Sequence, residues 1–365
     1  MKVLHVNAGL EAGGGLTHIV NLLKEAKKEG EDFSLLCLAE GPVARAAREA
    51  HLQVAVLGIN SRYDLASLGK LAAFINNGNY DIVHTHGARA NLFVSLLRRK
   101  LSAKWCVTVH SDPYLDFADR GILGKLFTAA NVYALKKSDC VFAVTKNFAN
   151  LLIQKAHVDQ NKVHVIYNGI FFHQDSQIPA KYPEPTFNLI NVARVEKVKG
   201  QALLLHALKN LDNANVHLYI AGDGSQMAAL KDLVQKLDLG PQVTFQGFMT
   251  QKQLQNLYRR MDLAVLTSYS ESFPLVLLEA CDNLVPLLST DVGDIKMMIP
   301  DKDSGFVAKV GDVTSITNAL RKAVATPKNE LEEMAVREKT YITEHFSVAN
   351  QLETIIQEYQ AIIKR

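Results

Sequence analysis

Short aliphatic and β-branched runs alternate with helical patterns along the whole chain, and this rhythm constrains the fold more than any other feature. In the first half the predicted strands are KVLHVN, FSLLCL, QVAVLG, DIVHTH, WCVTVH, CVFAVT and VHVIYN. Helical patterns such as LTHIVNLLKEAKKEG separate them. Strands that alternate with helices predict βα units and a parallel sheet, so an α/β protein is expected.

The rhythm stops once and then starts again. The segment FFHQDSQIPAKYPEPTF is rich in proline and polar residues without periodicity, which predicts a linker. Beyond it the predicted strands are FNLINVAR, NVHLYIAG, QVTFQG, LAVLTS, VPLLST and GFVAKV. In a chain of 365 residues, two such halves predict two Rossmann-like domains facing each other across a cleft. Ligands of open α/β sheets bind beyond the carboxyl ends of the strands, so the loops there are the candidate functional segments.

Composition and charge set broad limits. The chain is 48% hydrophobic and 21% charged, as in ordinary globular proteins, and no apolar run approaches the roughly 18 residues of a membrane span. The opening MKVLHVNAGL does not have the pattern of a signal peptide, and the four cysteines lack CxxC spacing, which together favour a cytoplasmic protein. Residues 1–170 hold 20 basic and 14 acidic residues, and residues 171–365 hold 20 and 23. This asymmetry suits an anionic partner such as a membrane surface, although chance explains it equally well. No nucleic-acid partner is expected.

Two glutamates close the apolar stretch ESFPLVLLE, which follows the predicted strand LAVLTS. Ser272 is a candidate N-cap and Pro274 suits a first helical turn, so Glu271 is expected in the loop and Glu279 in the second turn of a helix. The free N–H groups of a helix start form a natural anion site. The two acids are therefore expected to contact different parts of one extended ligand.

A second candidate site is VARVEKVKG, at the end of the first strand of the second half. Arg194 and Lys199 leave this strand end together, and Gly200 permits a close approach by a ligand. Their spacing suits the two phosphates of a diphosphate, but a solvated basic turn would have the same pattern.

The first half has a glycine-rich loop, GLEAGGGLTHIV, between a strand and a helix. Gly13, Gly14 and Gly15 would let backbone approach a ligand. A dinucleotide loop, with Glu40 as the acid on the ribose, is the alternative, but the GxGxxG spacing is missing and a dehydrogenase is disfavoured.

Other polar residues lie at predicted strand ends and in a loop. His84 and His86 in HTHG do not suggest a metal site, because no third ligand is evident from the sequence. His110 ends the strand WCVTVH, where a lone histidine is usually structural. Asp301–Asp303, in DKD, has the spacing of metal-binding acids but is expected to be a solvated turn.

In this order and spacing, the motifs resemble the retaining glycosyltransferases of family 4, which have the GT-B fold. The resemblance covers essentially the whole chain. It is carried by the two glutamates with seven residues between them, RVEKVKG, AGDGS, VTFQGF, STDVGDIKMMI and SGFVAKVGD. The resemblance implies an acceptor-binding domain over residues 1–170, a donor domain over 171–345 and a C-terminal helix over 346–365 that packs back on the first domain.

Residue roles follow from the same resemblance. Arg194 and Lys199 would hold the donor diphosphate, Glu279 the ribose hydroxyls, and Glu271 the hydroxyls of the donor sugar. The remaining donor-site positions are His110 at the sugar, Gly14 and Gly15 beside the phosphates, backbone of Ser272, Phe273, Pro274 and Leu275, and Gly247 and Phe248 near the base. Two positions depart from the family pattern. Phe171 stands where an acid is common, and Asp294 stands where a second glycine is frequent.

The expected function is transfer of a sugar, with retention of anomeric configuration, from a nucleotide diphosphate sugar to a hydroxyl acceptor. UDP-sugar is favoured over GDP-sugar as donor, and a lipid-linked or polysaccharide glycan precursor is favoured as acceptor. No obvious nucleophile or general base is present, so a front-face substitution is expected, with positioning and charge stabilisation by the protein and no metal cofactor. The alternatives are a nucleotide-sugar epimerase of similar architecture and a non-catalytic nucleotide-sugar-binding subunit.

One further segment bears on where the protein works. YLDFADRGILGKLFTAANVYALKK is predicted to be helical, and LLRRK lies nearby in the first half, with Arg98, Arg99 and Lys100. The apolar face either packs on the domain core or forms a peripheral surface that attracts anionic lipid. The second alternative would suit a lipid-linked acceptor in a cytoplasmic leaflet.

Overall fold

The computed structural model describes residues 1–11, 13–59, 67–117, 120–173 and 185–364. The chain divides into two compact units. The first consists of Met1–Phe171 and Val348–Arg365, and the second is Phe172–Ser347. Most of the predicted linker lies outside the described residues. The assignment of the acceptor to one half and of the donor to the other stays a prediction.

The first unit is built on a seven-stranded parallel sheet in the order β3-β2-β1-β4-β5-β6-β7. Its strands are β1 (Lys2–Asn7), β2 (Asp32–Cys37), β3 (Val54–Val56), β4 (Ile82–His86), β5 (Lys104–Val109), β6 (Cys140–Ala143) and β7 (Val163–Val165). Its helices, in chain numbering, are α1 (Gly14–Lys28), α2 (Pro42–Glu49), α3 (Leu68–Asn77), α4 (Ala88–Leu97), α5 (Gly121–Lys137), α6 (Lys146–Gln154) and α13 (Val348–Ile363). Helices cover both faces of this sheet, which is why its central strands read as continuous apolar runs.

The last helix belongs to the first unit, although the second unit separates it from the rest of that unit in sequence. Leu352, Ile355 and Tyr359 of α13 share an apolar cluster with Val3 of β1 and Leu22 of α1. Tyr359 is fully buried, and its hydroxyl bonds to Nδ1 of His84. The chain end thus completes the core of the first unit.

The second unit has a six-stranded parallel sheet in the order β10-β9-β8-β11-β12-β13. Its strands are β8 (Phe187–Val192), β9 (Val216–Ala221), β10 (Val243–Gly247), β11 (Leu263–Leu266), β12 (Leu287–Thr290) and β13 (Phe306–Ala308). Its helices are α7 (Gln201–Leu211), α8 (Met227–Lys236), α9 (Gln251–Tyr258), α10 (Leu275–Asp282), α11 (Val313–Ala325) and α12 (Lys328–Phe346). In each sheet the strand order reverses beside the first strand, at β1/β4 and β8/β11, which is the crevice where open α/β sheets bind ligands.

The predicted strands are all present, which confirms the α/β fold of two Rossmann-like units. One predicted helix is wrong at its start, because α5 begins at Gly121, and Tyr114 and Leu115 lie in a turn before it. Among the described residues, no helix has both the length and the apolar character needed to cross a membrane. The four cysteines are free and buried, as their spacing indicates.

Candidate functional site

The carboxyl ends of β8 and β11 are joined by an ion pair between two of the predicted site residues. Nζ of Lys199 lies 2.6 Å from Oε1 of Glu271, and the two side chains are only 17% and 10% exposed. A pair this poorly exposed is weakly screened by solvent, and removing one partner leaves the other charge in a dry environment. The structure therefore brings together a cation and an acid that the sequence placed in separate motifs.

Loop contacts fix this pair in place. Oγ of Ser268 donates to the same Oε1 of Glu271 at 2.6 Å, while the backbone N–H of Tyr269 donates to Val198 O at 2.8 Å. Gly200 has φ 64°, and a Cβ there would overlap the carbonyl of Thr267, so the turn after β8 lies directly against the loop after β11. With two donors on Oε1, Oε2 of Glu271 accepts no hydrogen bond from a described residue and is the oxygen available to a ligand hydroxyl.

The loop after β12 closes over the same segment. Gly293 has φ 55°, and a Cβ on it would lie 2.6 Å from Glu271 O and 2.9 Å from Ser272 O. Oγ1 of Thr290 donates to Ser268 O at 2.8 Å. Only glycine fits at 293, so this backbone approach holds the loop that carries Glu271. Asp294, one of the two departures from the family pattern, follows at once and is largely buried.

The prediction for the start of α10 is wrong in detail. The helix begins at Leu275 and its N-cap position is Pro274, which has extended backbone (φ −79°, ψ 93°), so Ser272 lies in the loop rather than at the N-cap. Proline fits there because an N-cap needs no backbone N–H of its own. Phe273 is buried and its ring lies 5.1 Å from that of Phe346, so only its backbone faces the candidate site.

Glu279 lies in the second turn of α10, as predicted. Burial, with a smaller contribution from the charge of Asp282, raises the pKa of its carboxyl to about 7. A partly desolvated carboxylate is a strong acceptor for ligand hydroxyls, because few waters compete with them. The division of roles between Glu279 and Glu271 stays a prediction.

Arg194 differs from Lys199 in its surroundings. Its side chain is exposed, and among the described residues it makes no ion pair. Its carbonyl accepts a hydrogen bond from Nε2 of Gln201 at 3.0 Å, which holds the backbone of the turn. Arg194 is thus a cation on an anchored backbone with its guanidinium free to meet an anion.

The end of β10 carries an exposed aromatic ring. Phe248 follows Gly247 and is 82% exposed, and the space beside Gly247 is open to at least 4 Å. A large apolar ring with this exposure is available to stack on a planar ligand. The assignment of Gly247 and Phe248 to a nucleotide base stays a prediction.

In the first unit, histidines gather at the carboxyl ends of β4 and β5. Nδ1 of His86 lies 3.1 Å from Nε2 of His110, and Nε2 of His86 lies 2.9 Å from Nδ1 of His5. His18, on α1, contacts His110 ring to ring at 4.7 Å. His84 lies beside them, with Nε2 2.6 Å from Oγ1 of Thr108. The predicted site residue His110 is therefore one member of a cluster of five rings.

These imidazoles are neutral near pH 7. Burial, with a smaller effect of neighbouring rings, lowers the pKa of His5 to about 3. Burial also lowers the pKa of His18 to about 4, against a weaker opposite effect of its hydrogen bond to Asn168. It holds the pKa values of His84, His86 and His110 well below their usual range. Neutral rings each keep one lone pair, so the cluster presents acceptors rather than positive charge.

The cluster overturns one conclusion from the sequence, that HTHG has no third metal ligand. Two groups of three histidines have ring nitrogens within 4.8 Å of one another: His5, His84 and His86, and His18, His86 and His110. The additional rings come from β1 and α1, which are distant from HTHG in sequence.

The glycine loop lies against this cluster. A Cβ on Gly15 would lie 3.1 Å from Oε2 of Glu11 and 4.0 Å from Cγ of His110. Burial is the main cause that raises the pKa of the Glu11 carboxyl to about 7. Gly14 is the first residue of α1, and a Cβ on it would meet nothing within 4 Å. Glu11, which the sequence did not single out, is therefore a candidate ligand-facing acid of this loop.

Glu40 and the DKD segment, which could suggest a dinucleotide site and a metal site, lie on the surface. Glu40 forms two hydrogen bonds with the guanidinium of Arg48, at 2.7 and 2.9 Å, and both side chains are about half exposed. In the DKD segment, Oδ1 of Asp301 accepts from the N–H of Asp303 and from Oγ of Ser304, as in an exposed turn. Neither feature points to a dinucleotide or metal site.

One side of α5 packs on the core through Ala134 and Leu135, and a second, apolar side is exposed. Ile122, Leu126, Ala129 and Tyr133 recur at helical spacing along one side, and Ile122, Leu126 and Tyr133 are 80%, 60% and 58% exposed. Lysines 125, 136 and 137 flank this stripe, and all three are exposed. We call this surface the α5 face. The chain thus presents a mixed apolar and basic surface on its first unit.

Arg98 does not belong to a free basic patch. Its Nη2 lies 2.8 Å from Oδ2 of Asp139, and its Nη1 donates to Leu101 O at 3.3 Å. Arg99 and Lys100 are exposed. Arg98 therefore stabilises the junction between α4 and β5, and only its two neighbours remain available to an anionic surface.

Asn168 and Gly169, in the VIYNG motif, also have local partners. Oδ1 of Asn168 lies 2.7 Å from Nδ1 of His18, and the N–H of Gly169 donates to Oε1 of Gln351 at 3.2 Å. Phe171, where the family often has an acid, is exposed and lies beneath Nζ of Lys24, 5.0 Å from its ring centroid. Because residue 171 is a phenylalanine and not the acid that is common in the family, its ring makes a favourable cation–π contact with Lys24.

Sequence models of two families match the chain. The model described as "Glycosyltransferase Family 4" matches residues 12–171, and that described as "Glycosyl transferases group 1" matches residues 174–340. N-acetyl-alpha-D-glucosaminyl L-malate synthase of Bacillus anthracis is 30% identical over 316 residues, 82% of this chain and 78% of that protein. UDP-Gal:alpha-D-GlcNAc-diphosphoundecaprenol alpha-1,3-galactosyltransferase of Escherichia coli is 23% identical over 89% of this chain and 87% of that protein.

Solved structures give the same fold. The crystal structure of HepE from Anabaena in complex with UDP has a TM-score of 0.84 and 17% sequence identity, and the match covers 99% of this chain and 100% of that one. At this identity the likeness shows the fold alone. Together with the two family matches and the relative at 30% identity, the loops of the second sheet identify the chain as a member of the family 4 glycosyltransferases, of the group 1 type, which act on nucleotide sugars.

Proposed function

We propose that the protein transfers a hexosyl group from a UDP-sugar to a hydroxyl of a lipid-linked or polysaccharide glycan precursor, with retention of anomeric configuration. The observation that carries the proposal is the Lys199–Glu271 pair at the carboxyl ends of β8 and β11. In the proposal, Lys199 is the cation for the leaving diphosphate, and Oε2 of Glu271 accepts a hydrogen bond from a sugar hydroxyl.

The diphosphate would be held by two cations of different character. Arg194 is exposed and offers a planar fork that matches phosphate oxygens. Lys199 offers a point charge and is held by Glu271. Pre-placed positive charge stabilises the departing diphosphate as the glycosidic bond breaks, and such stabilisation is commonly the largest single contribution to catalysis.

The rest of the donor would contact the loops around this pair. Glu279 would accept hydrogen bonds from the ribose hydroxyls, and Phe248 would stack on the base beside Gly247. The free Oε2 of Glu271 would accept from a hydroxyl of the donor sugar, and the first backbone N–H groups of α10 would face the phosphates. The choice of UDP is supported by the UDP named for the Escherichia coli relative and for the HepE complex.

Retention would follow from a front-face substitution. Hydrogen bonds from Lys199 and Ser268 to Oε1 lower the nucleophilicity of the Glu271 carboxylate, so the proposal gives its Oε2 the role of an acceptor for a sugar hydroxyl and not of a nucleophile. The acceptor hydroxyl would attack from the side on which the diphosphate leaves, and a leaving phosphate oxygen would take the acceptor proton. The protein then contributes orientation and charge rather than a covalent intermediate.

A lipid-linked acceptor is supported by the α5 face. Its apolar stripe and flanking lysines suit an anionic bilayer surface, since each cation near such a surface contributes about 1 kcal/mol. The acceptor of the Escherichia coli relative is named as a diphosphoundecaprenol-linked sugar.

The proposal is tested by incubating the purified chain with a panel of UDP- and GDP-sugars, with and without lipid-linked glycan acceptors. We expect a UDP-sugar to stabilise the protein against heat, and transfer to occur only when an acceptor is present. Conversion of the donor to its free epimer would indicate an epimerase instead. Donor binding without transfer or conversion would indicate a non-catalytic subunit.

A further inference from the structure

We propose that His18, His86 and His110 form a binding site for one zinc ion in the first unit. The three rings come from α1, from the last residue of β4 and from the residue that follows β5. They meet at the carboxyl edge of the first sheet, beside the glycine loop. His110 and the neighbouring Gly15 are also positions that the family resemblance assigns to the donor, whereas Arg194, Lys199, Glu271 and Glu279 are not part of the zinc site. Zinc retention is measured without donor or acceptor, so the zinc site does not depend on the proposed function.

The spacing of the nitrogens suits a small cation. A tetrahedral zinc ion with Zn–N distances of about 2.0–2.1 Å holds its nitrogens about 3.3 Å apart. Nδ1 of His86 and Nε2 of His110 are already 3.1 Å apart. All three ligand nitrogens lie within 4.8 Å of one another, so closure around an ion needs side-chain movement on the order of 1 Å.

His18 has a ring nitrogen, Nε2, that is buried without a hydrogen-bond partner. Its Nδ1 lies 2.7 Å from Oδ1 of Asn168, an acceptor, and 3.1 Å from Nε2 of Gln351, a donor. The Asn168 contact needs a proton on Nδ1 and the Gln351 contact needs a lone pair there. Zinc binding through Nε2 requires the tautomer with the proton on Nδ1, in which Nε2 is an acceptor. A buried acceptor without a partner costs about 1–3 kcal/mol, which a bound cation would offset.

The contacts around the three rings are those of a second coordination shell. A histidine that binds a metal usually has its other ring nitrogen bonded to a carbonyl, carboxylate or similar group, which fixes the tautomer. Asn168 does this for His18, and Nδ1 of His5 lies 2.9 Å from Nε2 of His86. Nδ1 of His110 is buried without a partner, so this ring has no second-shell contact of its own.

The other three-histidine group is a weaker candidate. Both nitrogens of His84 already have partners, the hydroxyls of Tyr359 and Thr108. A metal on His84 would have to break one of these bonds to a hydroxyl. In the proposed group zinc would replace only the contact between Nδ1 of His86 and Nε2 of His110, two of its own ligands. An unpartnered Nε2 does not distinguish the groups, because His5 has one as His18 does. The hydroxyl partners of His84 therefore favour His18, His86 and His110.

An acidic side chain lies near the site. A Cβ on Gly15 would lie 3.1 Å from Oε2 of Glu11 and 4.0 Å from Cγ of His110, which puts the Glu11 carboxyl close to His110. Imidazole nitrogens favour zinc and neighbouring transition metals over magnesium or calcium, which prefer oxygen ligands. Three histidines with a nearby carboxylate form a donor set typical of zinc.

The test measures zinc retained by the full, untagged chain. Protein stripped with a chelator is loaded with Zn²⁺, desalted and analysed for metal, and the affinity is measured by competition with a chromophoric chelator. We expect about one zinc per chain, bound through imidazole nitrogens at about 2.0–2.1 Å in X-ray absorption spectra. His18→Gln and His110→Gln should each abolish retention. Asn168→Ala should lower affinity by about 10- to 100-fold.

Two controls make the outcome specific. His206→Gln replaces an exposed histidine of α7 in the second unit and should leave retention unchanged. His84→Gln should also leave it unchanged, provided circular dichroism shows a folded chain. The proposal is overturned if the native chain retains no zinc, if X-ray absorption shows no imidazole ligands, or if retention depends on His84 but not on His18. If the native chain retains no zinc, the cluster is only a hydrogen-bonded group of neutral imidazole rings.

Discussion

Lys199 and Glu271 lie 72 positions apart in sequence, yet Nζ of one is 2.6 Å from Oε1 of the other. The contact joins the turn after the first strand of the second sheet to the loop before α10. Both side chains are largely buried, so loss of either partner would leave the other charge unpaired in a poorly solvated environment. The pair thus keeps a cation beside an acid. The chemistry proposed for the second unit depends on this contact.

The first prediction concerns the two cations. Arg194→Ala and Lys199→Ala should each lower turnover by about 10²- to 10³-fold and weaken UDP binding, since each removes a charge placed for the leaving group. Arg194→Ala should keep its thermal stability, whereas Lys199→Ala should lose some because it strands the Glu271 charge. Lys197→Ala, at an exposed lysine in the same turn, is the matched control. Native UDP affinity in both variants, measured by calorimetry, would rule out the assignment.

The second prediction separates the two acids. Glu279→Gln should weaken binding of UDP alone, because a ribose contact forms with or without a sugar. Glu271→Gln should leave UDP affinity nearly intact and lower turnover with the complete UDP-sugar. Calorimetry with UDP and steady-state kinetics with the donor provide the two readouts. Equal loss of UDP affinity in both variants would show that the roles are not divided.

The third prediction is a pH dependence. The folded chain raises the pKa of Glu279 to about 7, so folding favours its protonated form. This stability is fully present below the unfolded pKa, near 4.5, and is lost as pH rises through 7, by up to about 3 kcal/mol. Glu279→Gln should therefore match the native chain in Tm at pH 4 and exceed it at pH 8.

The control for this effect is Glu332→Gln, which replaces an exposed glutamate of α12. It should follow the native curve at both pH values. An identical pH slope of Tm in Glu279→Gln and the native chain, measured without nucleotide, would contradict the raised pKa.

The sequence was sufficient for the fold because parallel strands buried on both faces must be apolar along their length, and thirteen such runs are visible. The strand-end loops were equally visible, since the chain places polar residues and glycines there. The contact between Lys199 and Glu271 could not be predicted from the sequence, because it depends on how the loops after β8 and β11 pack. The start of α10 was missed because proline can occupy the N-cap as well as the first turn.

The histidine cluster shows the same limit. His5 and His18 look like isolated residues in a strand and a helix, and only the sheet order, which puts β1 beside β4, brings them to His86. Helical periodicity does not reveal which side of α5 packs on the core, so the sequence supports both alternatives for the α5 face. The ion pair of Arg98 cannot be predicted from its neighbours in sequence, because its partner, Asp139, lies 41 positions away.

The fourth prediction concerns the α5 face. The native chain should bind vesicles containing anionic lipid at low ionic strength and dissociate as salt is added, because exposed charges are screened. Ile122→Ser/Leu126→Ser and the triple change of lysines 125, 136 and 137 to serine should each reduce binding in a sedimentation assay. Lys236→Ser, at an exposed lysine of α8, is the control.

Two results would contradict a membrane role for this surface. One is absence of vesicle binding even at low ionic strength. The other is a dimer in light scattering that the Ile122→Ser/Leu126→Ser change converts to a monomer, which would identify a second copy of the chain as the occupant.

The anomeric configuration of the first-formed product tests whether the chain transfers a sugar from a UDP-sugar with retention. Proton NMR of the product, recorded during the reaction with an α-linked UDP-sugar and a hydroxyl acceptor, distinguishes the two anomers by their coupling constants. Front-face substitution predicts an α-glycoside as the product of the native chain. Its rate of formation should fall by about 10²- to 10³-fold in Lys199→Ala. A β-glycoside would contradict front-face substitution, and an epimerised free sugar would contradict transfer itself.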